Sequence, residues 1–267
     1  MNYTYLCQGD KLPSVGVLQK LLNRAGAKLD TDGIFGPKTR AAVLRFQAAE
    51  GLAQDGIVGQ NTWEHLCKGL DLPIVDCVDV FDSFQREELR RAGKKRKAAA
   101  MADSYDAEVA DIRAVGGNPF VLGGMSNGVE QAVSLICSAA KNAFLVRFHS
   151  HGYPGSAGVT AGSGGPNERN RINADSIPLL QPAIVRLHRI FGPYGSVEFM
   201  SCKTGRGVDG RRMVTTIATL IGVPVSAGLN TQYSGGTKTF RFEGPTYTAV
   251  PGGQTLKSWC RALPNIP

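Results

Sequence analysis

An internal repeat is the sequence feature that most restricts how the first part of this chain can fold. Residues 32–39 read DGIFGPKT, and residues 55–62, 23 positions further on, read DGIVGQNT. In each copy the Asp-Gly pair favours a tight turn and the following residues favour a helix start, where Pro37 suits the first helical position. A preceding segment, residues 14–25, carries three leucines on one helical face. The sequence therefore predicts a compact module of three helices over residues 1–70.

Further residues extend the repeat into a longer motif. They are Leu18-Gln19, Leu21-Leu22, Ala42-Val43, Phe46-Gln47, Gly51-Leu52 and Thr62-Trp63-x-x-Leu66. With the two turns they cover residues 12–68 almost continuously, and the whole motif resembles the three-helix peptidoglycan-binding domain found beside many wall hydrolases. The resemblance implies that the module binds peptidoglycan, and the candidate contact residues are Arg24, Asp32 and Phe35. Most of the other motif positions are accounted for by the turns and the core that they build.

The remaining chain, residues 71–267, alternates apolar strand-like runs with helical ones. This pattern predicts an α/β domain with a mainly parallel sheet. The predicted strands are residues 73–81, 119–122, 143–149, 196–201 and 222–227. The predicted helices lie within residues 83–115 and at residues 129–140, 183–191 and 211–221. The glycine-rich stretch 152–166 offers few side chains to a core and is predicted to be a mobile surface loop.

Two of the predicted strands end in residues suited to catalysis. The strand at residues 143–149 runs into His151 and Gly152, and the strand at residues 196–201 runs into Cys202. In an open parallel sheet the carboxyl ends of neighbouring strands meet at one crevice, where a histidine can activate a cysteine thiol. The backbone N–H groups of Gly152 and Cys202 are candidates for an oxyanion hole, and this chemistry requires neither a metal nor a cofactor. His151 is preferred over His149 as the base because Gly152 follows it directly.

A strand that ends in His-Gly, followed by a later strand that ends in Cys, resembles the caspase-like cysteine peptidases. His151 and Cys202 are 202 − 151 = 51 positions apart, near the roughly fifty-residue interval of caspases. The glycines at residues 205–210 and the sequence GVPVSAG at residues 222–228 are similar to a bacterial branch of such domains. The resemblance implies a caspase-hemoglobinase-like fold and a Cys202–His151 dyad. The candidate substrate contacts beside the two strand ends are Arg147, Tyr153, Ser201 and Lys203.

Two other catalytic interpretations stay open. Residues 124–128 match the Gly-x-Ser-x-Gly pattern of a nucleophile elbow, with Ser126 at its centre. A serine hydrolase of that type needs a later acid and a histidine, but no histidine follows His188. His149 and His151 also have the spacing of metal ligands, although the Asp-His pair expected next in metallo-hydrolases is replaced by Gly-Tyr.

Charge and cysteine content restrict the partners. The net charge of +8 favours a polyanion, such as an acidic wall polymer or nucleic acid. Residues 86–97 hold seven basic and two acidic side chains, a composition more typical of a solvated helix face or linker than of a nucleic-acid site. Cys7 and Cys67 bracket the N-terminal module and are positioned to pair in an oxidising compartment.

These patterns predict a two-domain, cell-wall-targeted cysteine hydrolase that cleaves an amide bond in a peptide stem, a cross-link or a wall protein. The first residues lack the basic and apolar regions of a secretory signal, and no apolar run is long enough to span a bilayer. We therefore expect synthesis in the cytoplasm and action at the bacterial wall or periplasm, after delivery by a contact-dependent secretion machine or a phage lysis system. A secreted toxin of this kind would have an immunity protein as partner. The alternatives are a wall-binding protein with an inactive caspase-like scaffold and an intracellular regulatory protease.

Overall fold

The computed structural model describes residues 2–79, 90–122, 128–159, 169–232 and 240–267 of the chain. The N-terminal module contains the three predicted helices, α1 (Pro13–Arg24), α2 (Pro37–Ala49) and α3 (Gln60–Leu66). Pro37 opens α2, where its missing N–H removes a donor that would have no helical partner. The helical character predicted for this module is confirmed.

Two buried glutamines hold the repeated turns of the module. The Nε2 atom of Gln19 on α1 lies 2.8 Å from Asp32 Oδ1 and 3.0 Å from the carbonyl oxygen of Ile34. Gln47 on α2 makes the matching contacts with Asp55 Oδ1 and the carbonyl oxygen of Ile57, at 2.8 and 2.9 Å. The repeat in sequence is therefore also a repeat in hydrogen bonding, with each helix tied to the turn that follows it.

The α/β part follows after a short connection and alternates strands with helices. Its central strands are β1 (Ile74–Asp79), β2 (Phe120–Leu122), β3 (Ala143–His149), β7 (Phe191–Met200), β8 (Val225–Gly228) and β9 (Thr246–Ala249). A smaller sheet contains β4 (Gly152–Tyr153), β5 (Ser156–Gly158) and β6 (Arg171–Asn173). The helices are α4 (Lys95–Ala114), α5 (Gly128–Ala139), α6 (Ile177–Ile184), α7 (Gly207–Ile221) and α8 (Leu256–Ala262), with 3-10 turns at Val185–Ile190 and Pro251–Gly253.

The central sheet has the strand order β2-β1-β3-β7-β8-β9. Its first five strands are parallel, and β9 runs antiparallel to β8 at the edge. The predicted α/β architecture with a mainly parallel sheet is therefore confirmed. The five strands predicted from sequence correspond to β1, β2, β3, β7 and β8, whereas β9 and α8 were not predicted.

The segment before β7 differs from the prediction of a helix at residues 183–191. The helix α6 starts earlier, at Ile177, and continues as a 3-10 turn, so that β7 already begins at Phe191. Pro178 lies in the first turn of α6, where proline is favoured. Gly192 lies inside the strand instead of ending a helix. By contrast, Gly222 ends α7 in the left-handed conformation (φ 73°), as its sequence position predicted.

The glycine-rich segment is ordered over the part that the structure describes. Residues 152–158 form the hairpin β4–β5, contrary to the expected mobile loop. The prediction was wrong there because β5 finds a partner in β6 and buries Ala157 completely. Residues 160–168 lie outside the described residues, as do residues 80–89, which include the end of the first predicted strand and the start of the predicted helix at 83–115, and residues 123–127 around Ser126.

Each face of the central sheet is covered by a different set of helices. On one face α5, α6 and α7 pack over Val146, Phe148 and Phe199. On the other face the apolar core of the N-terminal module includes Phe144 and Leu145 of β3. The module therefore forms a structural layer of the α/β part, and the two hydrophobic cores lie on either side of the same strands.

Trp63 is the centre of the contact between the module and the sheet. Its indole is completely buried, stacks on Tyr3 at 5.2 Å between ring centroids, and lies 6.3 Å from the ring of Phe144. The indole N–H donates to the carbonyl oxygen of Thr4 at 2.8 Å, which satisfies the polar atom of the buried ring. This aromatic cluster joins α3, the N-terminal segment and β3.

Candidate active site at the ends of β3 and β7

The predicted catalytic residues follow two strands that are direct neighbours. β3 and β7 pair in parallel, with His149 opposite Met200. Beyond that pair, the Oγ atoms of Ser150 and Ser201 lie 3.2 Å apart. A Cβ atom added to Gly152 would stand 2.7 Å from Ser201 Cβ and 3.0 Å from the carbonyl oxygen of Cys202. The His-Gly pair and the cysteine are therefore brought together at the carboxyl edge of the sheet.

Gly152 is required at this contact for steric reasons. A methyl group there would collide with the hydroxyl oxygen of Thr204 as well as with Ser201. The hydroxyl of Thr204 donates to the carbonyl oxygen of Ser156 at 3.2 Å, and its own carbonyl accepts from the N–H of Gly155 at 3.2 Å. The β4–β5 hairpin is thus attached to the turn that carries Cys202.

The thiol of Cys202 is partly exposed and contacts the backbone of Gln232. The S–H donates to the carbonyl oxygen of Gln232 at 3.3 Å, and the N–H of Gln232 donates to the sulfur at 3.4 Å. The Gln232 side chain is itself held by the backbone of Glu243, whose N–H donates to Oε1 at 2.9 Å. No sequence pattern marked Gln232, because it is brought to the thiol by the return of the chain after β8.

The two histidines at the end of β3, His149 in the strand and His151 just after it, have different environments. His151 is exposed, and its carbonyl oxygen accepts a hydrogen bond from Gly158 N–H at 2.8 Å. His149 is buried, with Nε2 at 2.8 Å from Asp76 Oδ1 and Nδ1 at 2.8 Å from Glu108 Oε1. Both ring nitrogens of His149 are occupied by carboxylates, so of these two histidines only His151 is exposed.

The charge state of His149 is set by its two carboxylate partners. Burial alone would lower the pKa of His149, but the hydrogen bonds and charges of Asp76 and Glu108 raise it to about 9. Burial would in turn raise the pKa of Asp76, but Arg147 and His149 outweigh it and hold this pKa below its usual value. His149 is therefore a buried cation at neutral pH, paired on both sides.

Two other ionisable residues belong to the same buried cluster. Arg147 Nε lies 2.8 Å from Asp76 Oδ1, its guanidinium lies 4.9 Å from the ring centroid of Phe240, and it also donates to the carbonyl oxygen of Asn2. Glu198 on β7 accepts from Thr4 Oγ1 at 3.3 Å, and burial raises the pKa of its carboxyl to about 7. Asn2 and Thr4 thus connect the N-terminal segment to the two strands that carry the candidate site.

The four candidate substrate contacts have unequal access to solvent. Arg147 is completely buried in the cluster just described, and Ser201 is buried against Ser150. These two side chains support the strands and do not reach the surface. Lys203 is partly exposed in a left-handed backbone conformation (φ 57°), and Tyr153 is 50% exposed. Only Lys203 and Tyr153 of this set are open to a substrate.

The three candidate peptidoglycan contacts also differ. Phe35 is completely buried in the module core, where it cannot touch a polymer without unfolding. Asp32 Oδ1 accepts from Gln19 and from the N–H of Ile34 at 2.9 Å, so this carboxylate supports its turn. Arg24 is exposed near the end of α1, so its side chain is accessible to a ligand.

Further expectations concern cysteines, metals and membranes. Cys7 and Cys67 are both free thiols and do not pair. Within the described residues, no group of three or more His, Cys, Asp or Glu side chains has the arrangement of a metal site. In that same part of the chain, no helix has the length and apolar character needed to cross a membrane. The described residues of the basic run, among them Arg90, Lys94 and Arg96, are exposed.

Comparison with known protein families identifies the N-terminal module. Residues 11–66 match the family described as a peptidoglycan binding domain. This match covers most of the predicted three-helix module. The chain thus carries a peptidoglycan-binding domain at its N-terminus, followed by the α/β part.

Individual relatives share part of their length with this chain. A zinc D-Ala-D-Ala carboxypeptidase from Streptomyces albus G is 44% identical over 85 residues, which are 30% of this chain and 31% of that protein. An uncharacterized protein in the bpoA1 3′ region of Kitasatospora aureofaciens is 49% identical over 63 residues, 23% of this chain and 53% of that protein. The chain therefore spans about a third to a half of the length of these relatives. The crystal structure of a peptidoglycan-binding protein from Clostridioides difficile is 35% identical, covers 24% of this chain and 41% of that chain, and has a TM-score of 0.24.

Proposed function

We propose that this protein is a cell-wall hydrolase in which residues 1–70 hold peptidoglycan and residues 71–267 cleave an amide bond with Cys202 and His151. The observation that carries the proposal is the contact of Gly152 with Ser201 and Cys202, which joins the His-Gly pair to the cysteine at neighbouring strand ends. The peptidoglycan-binding domain and a relative named as a D-Ala-D-Ala carboxypeptidase support a substrate in the wall polymer. Binding to the wall raises the local concentration of scissile bonds, so that weak binding by the α/β part is sufficient.

The proposed reaction proceeds in two steps. His151 takes the proton from the Cys202 thiol, and the thiolate attacks the amide carbonyl carbon while the carbonyl electron pair moves to oxygen. When the tetrahedral intermediate collapses, the C–N bond breaks and His151 gives the proton to the departing amine. Water then hydrolyses the thioester, which yields a carboxylic acid and restores the thiol. The N–H groups of Gly152 and Cys202 are the proposed donors to the oxyanion in both steps.

The caspase-like interpretation of the α/β part belongs to this proposal. It is supported by the adjacency of β3 and β7 and by the way the β4–β5 hairpin packs on the turn after Cys202. The access of the two histidines favours His151, because both ring nitrogens of His149 bind carboxylates. Delivery as an antibacterial effector with an immunity partner remains part of the same proposal and rests on sequence alone.

A second candidate function is a wall-binding protein whose α/β part performs no chemistry. The hydrogen bonds of the Cys202 thiol to the Gln232 backbone favour it, because they engage the sulfur within the protein. In this alternative the peptidoglycan-binding domain supplies the whole activity. Reaction with iodoacetamide near neutral pH separates the two, since an activated thiol is alkylated rapidly and an inert one slowly.

The decisive experiment is the release of soluble fragments from purified peptidoglycan, analysed by mass spectrometry. It compares the wild type with Cys202→Ala, His151→Ala and the matched control Cys137→Ala, whose thiol lies on α5 far along the chain from the site. We expect release by the wild type and the control, none by the other two variants, and sedimentation of all four proteins with the wall. Release that persists in Cys202→Ala but stops with a chelator would refute the cysteine mechanism in favour of metal-dependent hydrolysis. Wall binding by every protein without any release supports the non-catalytic alternative.

A further inference from the structure

Three residues lie side by side across the strands of the small sheet: His151, Gly158 and Arg171. The N–H of Gly158 donates to the carbonyl oxygen of His151, and Gly158 pairs with Arg171 in the antiparallel β5–β6 ladder. Directly paired residues of antiparallel strands carry their side chains on the same face of the sheet. His151 and Arg171 therefore lie on the same face of the small sheet, on either side of Gly158, which has no side chain to separate them.

The guanidinium of Arg171 is held in place by Tyr153. Its NH1 donates to the Tyr153 hydroxyl at 2.9 Å, and its central carbon lies 5.4 Å from the centroid of the phenol ring. Tyr153 directly follows Gly152, the residue in contact with the Cys202 carbonyl. Side chains alternate along a strand, so Tyr153 shares its face with His151. The guanidinium of Arg171 is thus held against the Tyr153 ring, on the face of the small sheet that carries His151.

The charge of Arg171 has no carboxylate partner among the described residues. Its Nε is buried without a hydrogen bond, and the side chain as a whole is only partly exposed. By contrast, Arg169, two residues earlier, binds the carboxylate of Glu130 at 2.7 Å. Hydrogen bonding to Ser156, together with the neighbouring Arg171, lowers the pKa of Tyr153. A partly buried arginine whose N–H donors are not all engaged is suited to bind a carboxylate through two parallel hydrogen bonds.

We propose that Arg171, positioned by Tyr153, binds a carboxylate of the substrate beside the bond that is cleaved. This inference rests on the proposed function and narrows its substrate class to acidic peptides. The peptide stems of peptidoglycan carry free carboxyl groups near their amide bonds, and they meet this requirement. Arg171 acts as a specificity-determining residue, since it recognises a group next to the reacting amide and takes no part in proton transfer.

The test compares untreated peptidoglycan with the same material after its carboxyl groups are converted to carboxamides by carbodiimide and ammonia. The proteins are the wild type, Arg171→Gln and the matched control Arg169→Gln, which removes the same charge from an arginine that is already paired. We expect amidation to slow fragment release by the wild type and the control about 10- to 100-fold, the usual effect of losing a charged hydrogen bond. Arg171→Gln is expected to be slow on both substrates, without a preference. Equal rates of the wild type on both substrates, or a preference that survives in Arg171→Gln, would overturn the inference.

A binding measurement separates this inference from the catalytic proposal. Calorimetry with the Cys202→Ala protein uses a synthetic stem pentapeptide, L-Ala-γ-D-Glu-L-Lys-D-Ala-D-Ala, and its analogue with both carboxyls amidated. We expect tighter binding of the acidic peptide, lost when Arg171→Gln is added and partly retained with Arg171→Lys, which keeps the charge without the planar fork. If the wild type releases nothing from the wall but this preference is observed, the carboxylate site stands and the hydrolase does not. Equal affinity for the two peptides overturns the site.

Discussion

The buried cation at His149 predicts a specific loss of stability with rising pH. A folded-state pKa of about 9 against the usual 6.5 means that the folded protein binds a proton more tightly than the unfolded chain. The resulting stabilisation is fully present below pH 6.5 and disappears as the pH rises through 9. From these two values, linkage gives His149 a share of about 2 kcal/mol in the loss of unfolding free energy between pH 6.5 and 8.5. The buried carboxyl of Glu198, with its pKa raised to about 7, adds a smaller loss of the same sign in this window. The comparison stops at pH 8.5 because above it the buried thiols of Cys67 and Cys260, whose pKa values are raised, also change the free energy of unfolding with pH.

His149→Gln is the substitution that tests this origin of the pH dependence. We expect the variant to lack the loss of about 2 kcal/mol in unfolding free energy that His149 contributes between pH 6.5 and 8.5, because an amide cannot release a proton in this range. It is also expected to be less stable by about 3–5 kcal/mol at neutral pH, since Asp76 loses part of its compensation. Glu108→Gln is the second variant, which keeps the histidine but removes one of its two acceptors and lowers its pKa.

Urea denaturation followed by tryptophan fluorescence at several pH values provides the measurement. The free energy of unfolding is plotted against pH for the wild type and both variants, with the m-value as a check that the same surface is exposed. A slope in His149→Gln equal to that of the wild type would refute the assignment of a buried imidazolium. A slope that steepens in Glu108→Gln would refute the role of the second carboxylate.

Two further predictions concern contacts that join parts of the fold. Gly152→Ala places a methyl group against Thr204 and Ser201. If the roughly 1–3 kcal/mol cost of overpacking falls on the catalytic geometry, we expect fragment release to fall about 5- to 100-fold while wall sedimentation is retained. Gly36→Ala, where a Cβ meets nothing within 4 Å, is the control, and full activity of Gly152→Ala contradicts the contact. Trp63→Ala removes the completely buried ring between the module and β3 and should lower the free energy of unfolding by about 3–5 kcal/mol in one transition. Two separate transitions in that variant, with the α/β part unchanged, would show that the two cores are independent.

The N-terminal module could be predicted in detail because its signals are local. Asp-Gly turns, a proline at a helix start and leucines with helical spacing each depend on residues within a few positions of one another. The same is true of β3, whose observed bounds, Ala143–His149, are those expected from its apolar run. The burial of Gln19 and Gln47 was harder to foresee, since a glutamine on a helix is usually exposed. Their repeated position before each Asp-Gly turn was the signal that could have indicated it.

The candidate site was only partly predictable. The positions of His151 and Cys202 at strand ends followed from sequence, and the pairing of β3 with β7 brings those ends together. The candidate contacts Arg147 and Phe35 turned out to be buried, because charge and aromatic character do not reveal which side of a strand or turn faces the core. The contacts of Gln232 with Cys202 and of Arg171 with Tyr153 were missed, since they join residues that are 30 and 18 positions apart in sequence.

Sequence alone was therefore sufficient for the elements that short-range chemistry decides: the turns and helices of the peptidoglycan-binding domain, the parallel strands and the residues at their ends. Only the tertiary structure decided which of two nearby histidines is a buried cation and which is exposed, because that depends on Asp76 and Glu108 from other elements. It also decided that the N-terminal module covers one face of the sheet, with Trp63 against Phe144. Burial and ion pairing are properties of surfaces that meet after folding, and no local pattern along the chain encodes them.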